Sequence, residues 1–193
     1  PPSMVEDAVD SAPSRLVLCG RDPKNDCILE GSNVYLGTGG TAINVLDMKT
    51  GERRPSTNRD VRDMARLMDA LANIHVFTIN VYPNDIKDKE EIDVNRFYSS
   101  ITNTSKHVMG GIYSENGLRD AVQMAALVAG GMDKLRERPF VSFITLMISP
   151  LKIDDIYGEF TCYLAKEGLP VVVPTEPLCG TTSPITLAAN VVM

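Results

Sequence analysis

Residues 107–131 read HVMGGIYSENGLRDAVQMAALVAGG. The first seven residues are an almost unbroken apolar run. A helical segment follows and closes on paired glycines. The run does not alternate apolar with polar residues, which suits a strand buried on both faces, with the helix as its crossover. The pattern occurs three more times. HVFTINV begins at 75, with a helix expected within EIDVNRFYSSITNTS. FVSFITLMI begins at 140, followed by KIDDIYGEFTCYLAKEG, and PVVVPT begins at 170, followed by SPITLAANVVM. The four strand starts lie 32, 33 and 30 residues apart. Gly168 followed by Pro170 stops the third helix before the fourth strand.

Repeated β/α units leave two main architectures, a doubly wound sheet or a (β/α)8 barrel. A doubly wound nucleotide fold usually shows G-x-G-x-x-G directly after a strand. The candidate here, GTGG at 37–40, does not open a helix, VAGGMDK at 128–134 reads as a helix cap, and there is no Walker motif. The expectation is therefore an α/β (TIM) barrel, of which this chain holds roughly the N-terminal half over residues 56–193. A hairpin-rich segment over 1–55 precedes it. Neither end reads as natural, since the chain starts with Pro1 and stops inside the apolar run PITLAANVVM.

Within 1–55 the rhythm differs. Residues 1–13 read as the end of a helix with Met4, Val5, Ala8 and Val9 on one face. SRLVLCG, CILEGSNVYLG, TAINVLDM and GERRP are short runs separated by Gly, Asn and Asp turns, the pattern of hairpins, with a tight turn at Thr50-Gly51. The clearest helix follows. Ser56 or Thr57 can cap it, Asp60 lies in its first turn, and Val61, Met64, Leu67, Met68 and Leu71 recur at helical spacing. Arg59/Asp63 and Asp63/Arg66 pairs mark its solvated face.

Of 193 residues, 44% are hydrophobic and 23% charged, and the net charge is −6. That composition describes a soluble globular protein with a core of useful size. The acidic balance disfavours nucleic acid as a partner. No apolar run approaches the roughly 20 residues needed to cross a bilayer, and no signal peptide is visible, so a cytoplasmic location is expected. Cys19, Cys27, Cys162 and Cys179 form no Cys-x-x-Cys pair and read as reduced thiols. With His75 and His107 as the only histidines, a zinc site is not expected.

In either architecture, chemistry lies at the carboxyl ends of the parallel strands. These positions select Asn80, Tyr82 and Asn84, then Gly110, Gly111 and Tyr113, then Ser149 and Lys152, and finally Thr175, Glu176 and 180–183. Ser183 and Pro184 read as the cap and first residue of the last helix. Gly180, Thr181 and Thr182 offer N–H groups and hydroxyls to an anionic or polar group. Glu176 could hold a cation or act as acid or base. Tyr82 and Tyr113 could offer π faces to a methylated ammonium, although either alone reads first as packing. His75 and His107 start their strands at the opposite end, where a structural role is expected.

The stretches APSRLVLCGRDP (12–23), GTGGTAINVLDMKTGERRPSTNRDVRDMARLMDALANI (37–74), ITNTSKHV (101–108) and PLCGTTSPITLAAN (177–190) occur in the order typical of one family. The sequence resembles the trimethylamine:corrinoid methyltransferase family, which includes pyrrolysine-lacking members acting on quaternary amines such as glycine betaine. Ala189 stands where the family pattern commonly has Gly. The resemblance implies a barrel enzyme more than twice this length. It implies transfer of a methyl group from a methylated amine to the Co(I) of a corrinoid carried by a separate partner protein that docks over the barrel mouth. In the trimethylamine branch it implies a pyrrolysine beyond the end of this chain. With that chemistry, Glu176 is the expected catalytic residue, and Tyr82, Tyr113, Ser149, Gly180, Thr181 and Thr182 are the expected substrate contacts. Homo-oligomerisation is compatible with the resemblance. Two other classes remain open on the residues themselves: a barrel lyase or aldolase using Lys152 or Glu176, and a non-catalytic half-barrel binding domain.

Overall fold

A computed structural model of the chain describes residues 2–148, 152–174 and 177–192. The first part holds helix α1 (Pro2–Ser11) and two antiparallel hairpins, β1 (Leu16–Leu18) with β2 (Cys27–Leu29) and β3 (Asn44–Leu46) with β4 (Arg53–Pro55). Next come α2 (Asn58–Ala70), β5 (Val76–Thr78), α3 (Lys89–Ile101), β6 (His107–Gly111), α4 (Glu115–Ala129), α5 (Met132–Glu137) and β7 (Val141–Ile144). The remainder comprises β8 (Met147–Ile148), β9 (Lys152–Ile153), α6 (Asp155–Glu167), β10 (Val171–Val172) and α7 (Leu187–Val192).

The four expected strands form one parallel sheet in the order β10-β7-β6-β5. Alternate side chains divide its two faces, as the period of a strand requires. Phe77, Ile79, Val81, Val108 and Phe143 pack against Val61 and Ala65 of α2, Phe97 of α3, Leu118 of α4 and Phe160 of α6, forming the main core. Each fully buried Phe contributes about 1.5–3 kcal/mol relative to exposure. On the other face, Val76 and Met109 pack with Leu18 and Cys27 of the first hairpin.

Local chemistry explains the element ends. Thr57 caps α2 in a reciprocal box with Asp60: the Thr57 N–H donates to Asp60 Oδ2 at 2.8 Å, and the Asp60 N–H points back to Thr57 Oγ1. Arg54 then holds both Asp60 oxygens at 2.8 Å. Ser56, the other cap candidate, instead donates its hydroxyl to the carbonyls of Ala42 and Tyr82. Gly51, at φ 72°, completes the expected turn, with Asp47 accepting from the N–H groups of Lys49 and Thr50. Gly168, at φ 70°, ends α6 in the left-handed conformation, as Gly-x-Pro predicted.

The structure departs from the sequence reading in several places. The GTGG segment is not merely hairpin punctuation. Gly37 and Ala42 bridge Val76 and Val81 in parallel, so residues 37–42 run beside β5 as an irregular extra edge. Its glycines and polar residues hid the strand pattern. The run FVSFITLMI splits after Ile144, where Met147–Ile148 turns into an antiparallel pair with Lys152–Ile153. The glycines after α4 cap it and also lead into α5, which the sequence reading did not separate. Arg66 hydrogen-bonds Asn103 Oδ1 at 2.7 Å instead of making the expected pair with Asp63, which pairs with Arg59 and Arg62. Asn103, in the turn that follows α3, supplies a better-placed acceptor than the same helix does.

Candidate functional site at the carboxyl ends of the strands

The amino ends of the strands are closed. His107 is fully buried, and its Nδ1–H donates to the Cys19 carbonyl at 2.9 Å, because a carbonyl can only accept. Nε2 therefore accepts from Ser142 Oγ, also at 2.9 Å. Burial drives the imidazole pKa down to about 4, so it is neutral near pH 7. Lys106 closes the same end, donating Nζ to the Met68 and Leu71 carbonyls at 2.6 and 2.7 Å. Its ammonium is pushed below its ordinary value by burial. His75 accepts from the Leu36 N–H through Nδ1. His107 thus has the structural role expected of it.

The carboxyl ends are open and enclose a cavity of about 290 Å³. Gly40 and Thr41, Thr78 and Ile79, Gly111 to Tyr113, Ile144 and Leu146, Tyr157 and Pro174 line it. Each parallel strand, and the irregular run beside β5, contributes to this lining. The volume lies at the small end of ligand pockets.

One of the expected substrate residues, Tyr113, lines this cavity, and a second, Tyr82, lies against it. The rings of Tyr82 and Tyr113 lie edge to face, 5.8 Å between centroids at 73°. Tyr113 is 44% exposed and Tyr82 is half-buried. The Arg96 guanidinium lies 4.9 Å from the centroid of the Tyr113 ring. Tyr157, in the first turn of α6, joins Tyr113 on the cavity wall. Burial raises its hydroxyl pKa, and Tyr113 adds to that shift. Asn84 is a brace rather than a contact. Its side-chain amide donates to the carbonyls of Ile43, Ser56 and Tyr82, tying the irregular run to the β5–α3 loop.

The loop at 178–183 behaves differently from its reading as an anion cradle. The Gly180 N–H donates to the Ser183 carbonyl, and the N–H groups of Thr181 and Thr182 donate to the Leu178 carbonyl. The loop's own acceptors take these N–H groups, so they are turned inward and not offered to an anion. Helix α7 starts at Leu187, not at Pro184, and Thr186 Oγ1 accepts from the Ala189 N–H in the role expected of Ser183. The turn closed at Ser183 delays the helix by a few residues. Lys152 lies exposed in β9. Ser149, Thr175 and Glu176 lie outside the described residues. Pro174, two residues before Glu176, lines the cavity.

Sequence reasoning missed Tyr157 and the pair Asp93–Arg96. Tyr157 follows the cap Asp154 within DDIY, so its place at the strand-end side of a helix was a usable signal. Asp93 and Arg96 look like any i,i+3 surface pair until the packing is seen. All four cysteines are free, and among the described residues no group of three His, Cys, Asp or Glu side chains could hold a metal ion. No helix among them is long and apolar enough to cross a membrane.

A model of the trimethylamine methyltransferase (MTTB) family matches residues 1–193. The chain is 40% identical over 192 residues to trimethylamine methyltransferase MttB of Desulfitobacterium hafniense (strain DSM 10664 / DCB-2), covering 100% of this chain and 38% of that protein. It is 32% identical over 190 residues to glycine betaine methyltransferase of Desulfitobacterium hafniense (strain Y51), covering 96% of this chain and 39% of that protein. It is 31% identical over 198 residues to trimethylamine methyltransferase MttB of Methanosarcina barkeri, covering 100% and 40%. The chain spans about two fifths of the length of these relatives. With the family match running from its first residue to its last, the chain belongs to the trimethylamine methyltransferase family.

Proposed function

We propose that this chain supplies the first β/α units of a (β/α)8 barrel methyltransferase, and that the cavity at the strand ends receives a methylated amine. Four parallel strands in sequential order support the barrel, since a doubly wound sheet needs a reversal of strand order. The helices that pack on one face and the hairpin against the amino end of the other support it further. The observation that carries the substrate class is the placing of Tyr113 and Tyr157 on the cavity wall, with the Tyr82 ring against Tyr113. Aromatic rings attract a cationic amine without needing a formal charge.

In this reading the tyrosines hold the amine, and Glu176, which follows Pro174 by two residues in the sequence, is assigned the part of offsetting the positive charge. A corrinoid carried by a partner protein would supply a reduced cobalt as the methyl acceptor. The C–N bond breaks and its electron pair stays with nitrogen, so the site must hold that bond in line with the approach from outside. Family relatives named for trimethylamine and for glycine betaine support the class of methylated amines.

The test is methyl transfer by the full-length enzyme from trimethylamine or glycine betaine to cob(I)alamin, compared with Glu176→Gln. A large loss in the variant is expected. Unchanged transfer together with unchanged substrate affinity removes Glu176 from the site, and no transfer from either amine by the unaltered enzyme overturns the proposed activity.

A further inference from the structure

The buried pair Asp93–Arg96 serves the mouth and not the core in general. Both side chains are completely buried, yet Arg96 Nη1 stands 3.7 Å from Asp93 Oδ1, beyond hydrogen-bonding distance. Each residue is instead committed to the loop that carries Tyr113. Asp93 Oδ2 accepts from the Tyr113 N–H at 2.9 Å and the Ser114 N–H at 3.1 Å. Arg96 Nη1 donates to the Gly111 carbonyl at 3.2 Å, and the guanidinium lies against the Tyr113 ring. The loop from Gly111 to Ser114 is thus held from below by two charges on α3.

The arrangement has been given room. A Cβ at Gly117 would stand 2.6 Å from Asp93 Oδ2, so only glycine lets α4 come this close to the carboxylate. It is also costly. Among the described residues, Asp93 Oδ1, Arg96 Nε and Arg96 Nη2 are buried without a hydrogen-bond partner. A buried, half-satisfied ion pair is weak support for stability, and an apolar pair of similar volume is often as good or better. Its geometry is better explained by what it does to the loop and the ring.

Resting on the reading of the mouth as a methylated-amine site, we propose that Asp93 and Arg96 are positioning residues. They fix the Tyr113 ring at the cavity wall, and the guanidinium occupies part of its π surface. The remaining ring surface, which neighbours Tyr82, is what an ammonium group meets. The counter-charge of Asp93 keeps Arg96 from repelling that ammonium.

The test uses the full-length protein with 3-fluorotyrosine at position 113 and tetramethylammonium as the probe. Arg96→Met is expected to move the ¹⁹F resonance of residue 113 and to weaken tetramethylammonium binding, measured by calorimetry, about tenfold. Arg96→Lys, which keeps the charge, should restore most of both. Tyr113→Ala should weaken binding by a similar factor, and adding Arg96→Met to it should cause little further loss, because the arginine acts through the ring. An unmoved resonance in Arg96→Met, or losses that multiply in the double variant, overturns the proposal. If the unaltered protein does not bind tetramethylammonium, the amine-site reading fails on its own, while the resonance shift still decides whether the pair positions the ring. Should Arg96→Met not fold, the Asp93→Asn resonance carries the same decision: a shift is expected, and an unmoved resonance overturns the proposal.

Discussion

Tyr82, after β5, and Tyr113, after β6, meet edge to face across the mouth with their centroids 5.8 Å apart. Neighbouring parallel strands place the residues just beyond their ends side by side, so the two rings meet although 30 residues separate them in the chain. An edge-to-face pair contributes about 0.5–1.5 kcal/mol beyond the area it buries. It also turns two separate tyrosines into one electron-rich surface.

That surface predicts binding. In the full-length protein, Tyr82→Ala, Tyr113→Ala and Tyr157→Ala should each weaken trimethylammonium binding about three- to tenfold, with the thermal midpoint largely held for the exposed Tyr113. Calorimetric titration checks this. Unchanged affinity in all three variants would show that the amine binds elsewhere.

His107 predicts a pH dependence. Its folded pKa, about 4, lies below the ordinary 6.5, so between these values the unfolded chain binds the extra proton. Stability from this group is therefore complete above pH 6.5 and is lost as pH falls toward 4, by about 3 kcal/mol over the window. Urea unfolding of the full-length protein at pH 7 and pH 4.5 should show a smaller difference for His107→Gln than for the unaltered protein. An equal difference would mean that other groups account for the acid sensitivity.

The start of α2 predicts a second, lower window. Hydrogen bonds from Arg54, above all, hold the Asp60 carboxyl at about 2, below its ordinary 3.8. The sign is that of a depressed carboxylate: the contribution is present above 3.8 and lost as pH falls through 2. Arg54→Met should move the acid unfolding midpoint to higher pH. Thr57→Ala, which removes the cap itself, should cost about 1 kcal/mol at neutral pH. Acid titrations followed by circular dichroism distinguish the two effects, and identical titration curves for Arg54→Met and the unaltered protein would contradict this account.

Lys106 predicts a local effect. Its ammonium satisfies two carbonyls at the end of α2, and its side chain is nearly buried. Lys106→Met should cost about 1–3 kcal/mol by leaving those acceptors unpaired. Amide hydrogen exchange should speed up first around Met68 to Ile74, and uniform acceleration across the sheet would point to a global effect instead.

What the sequence determined by itself was local and periodic. The apolar runs and their spacing marked the four parallel strands, and the helices between them followed from caps that act within a few residues, such as Thr57–Asp60 and Gly168. Their repeat was enough to point to the carboxyl strand ends as the place for chemistry, and Tyr82 and Tyr113 were legible there. Tertiary structure decided the partners. The N–H groups of Gly180, Thr181 and Thr182 face acceptors in their own loop, which residue types alone do not reveal. Gly37 to Ala42 became a sheet edge because β5 offered it carbonyls, despite poor strand propensity. Arg96 and Asp93 share a helix face that could equally have been solvated, and only the packing of α3 under the β6–α4 loop buries them against Tyr113. Capping and periodicity act over a few residues and leave a mark in the sequence. Hydrogen-bond partners and burial are settled by which elements meet, and no short stretch of this chain encodes that.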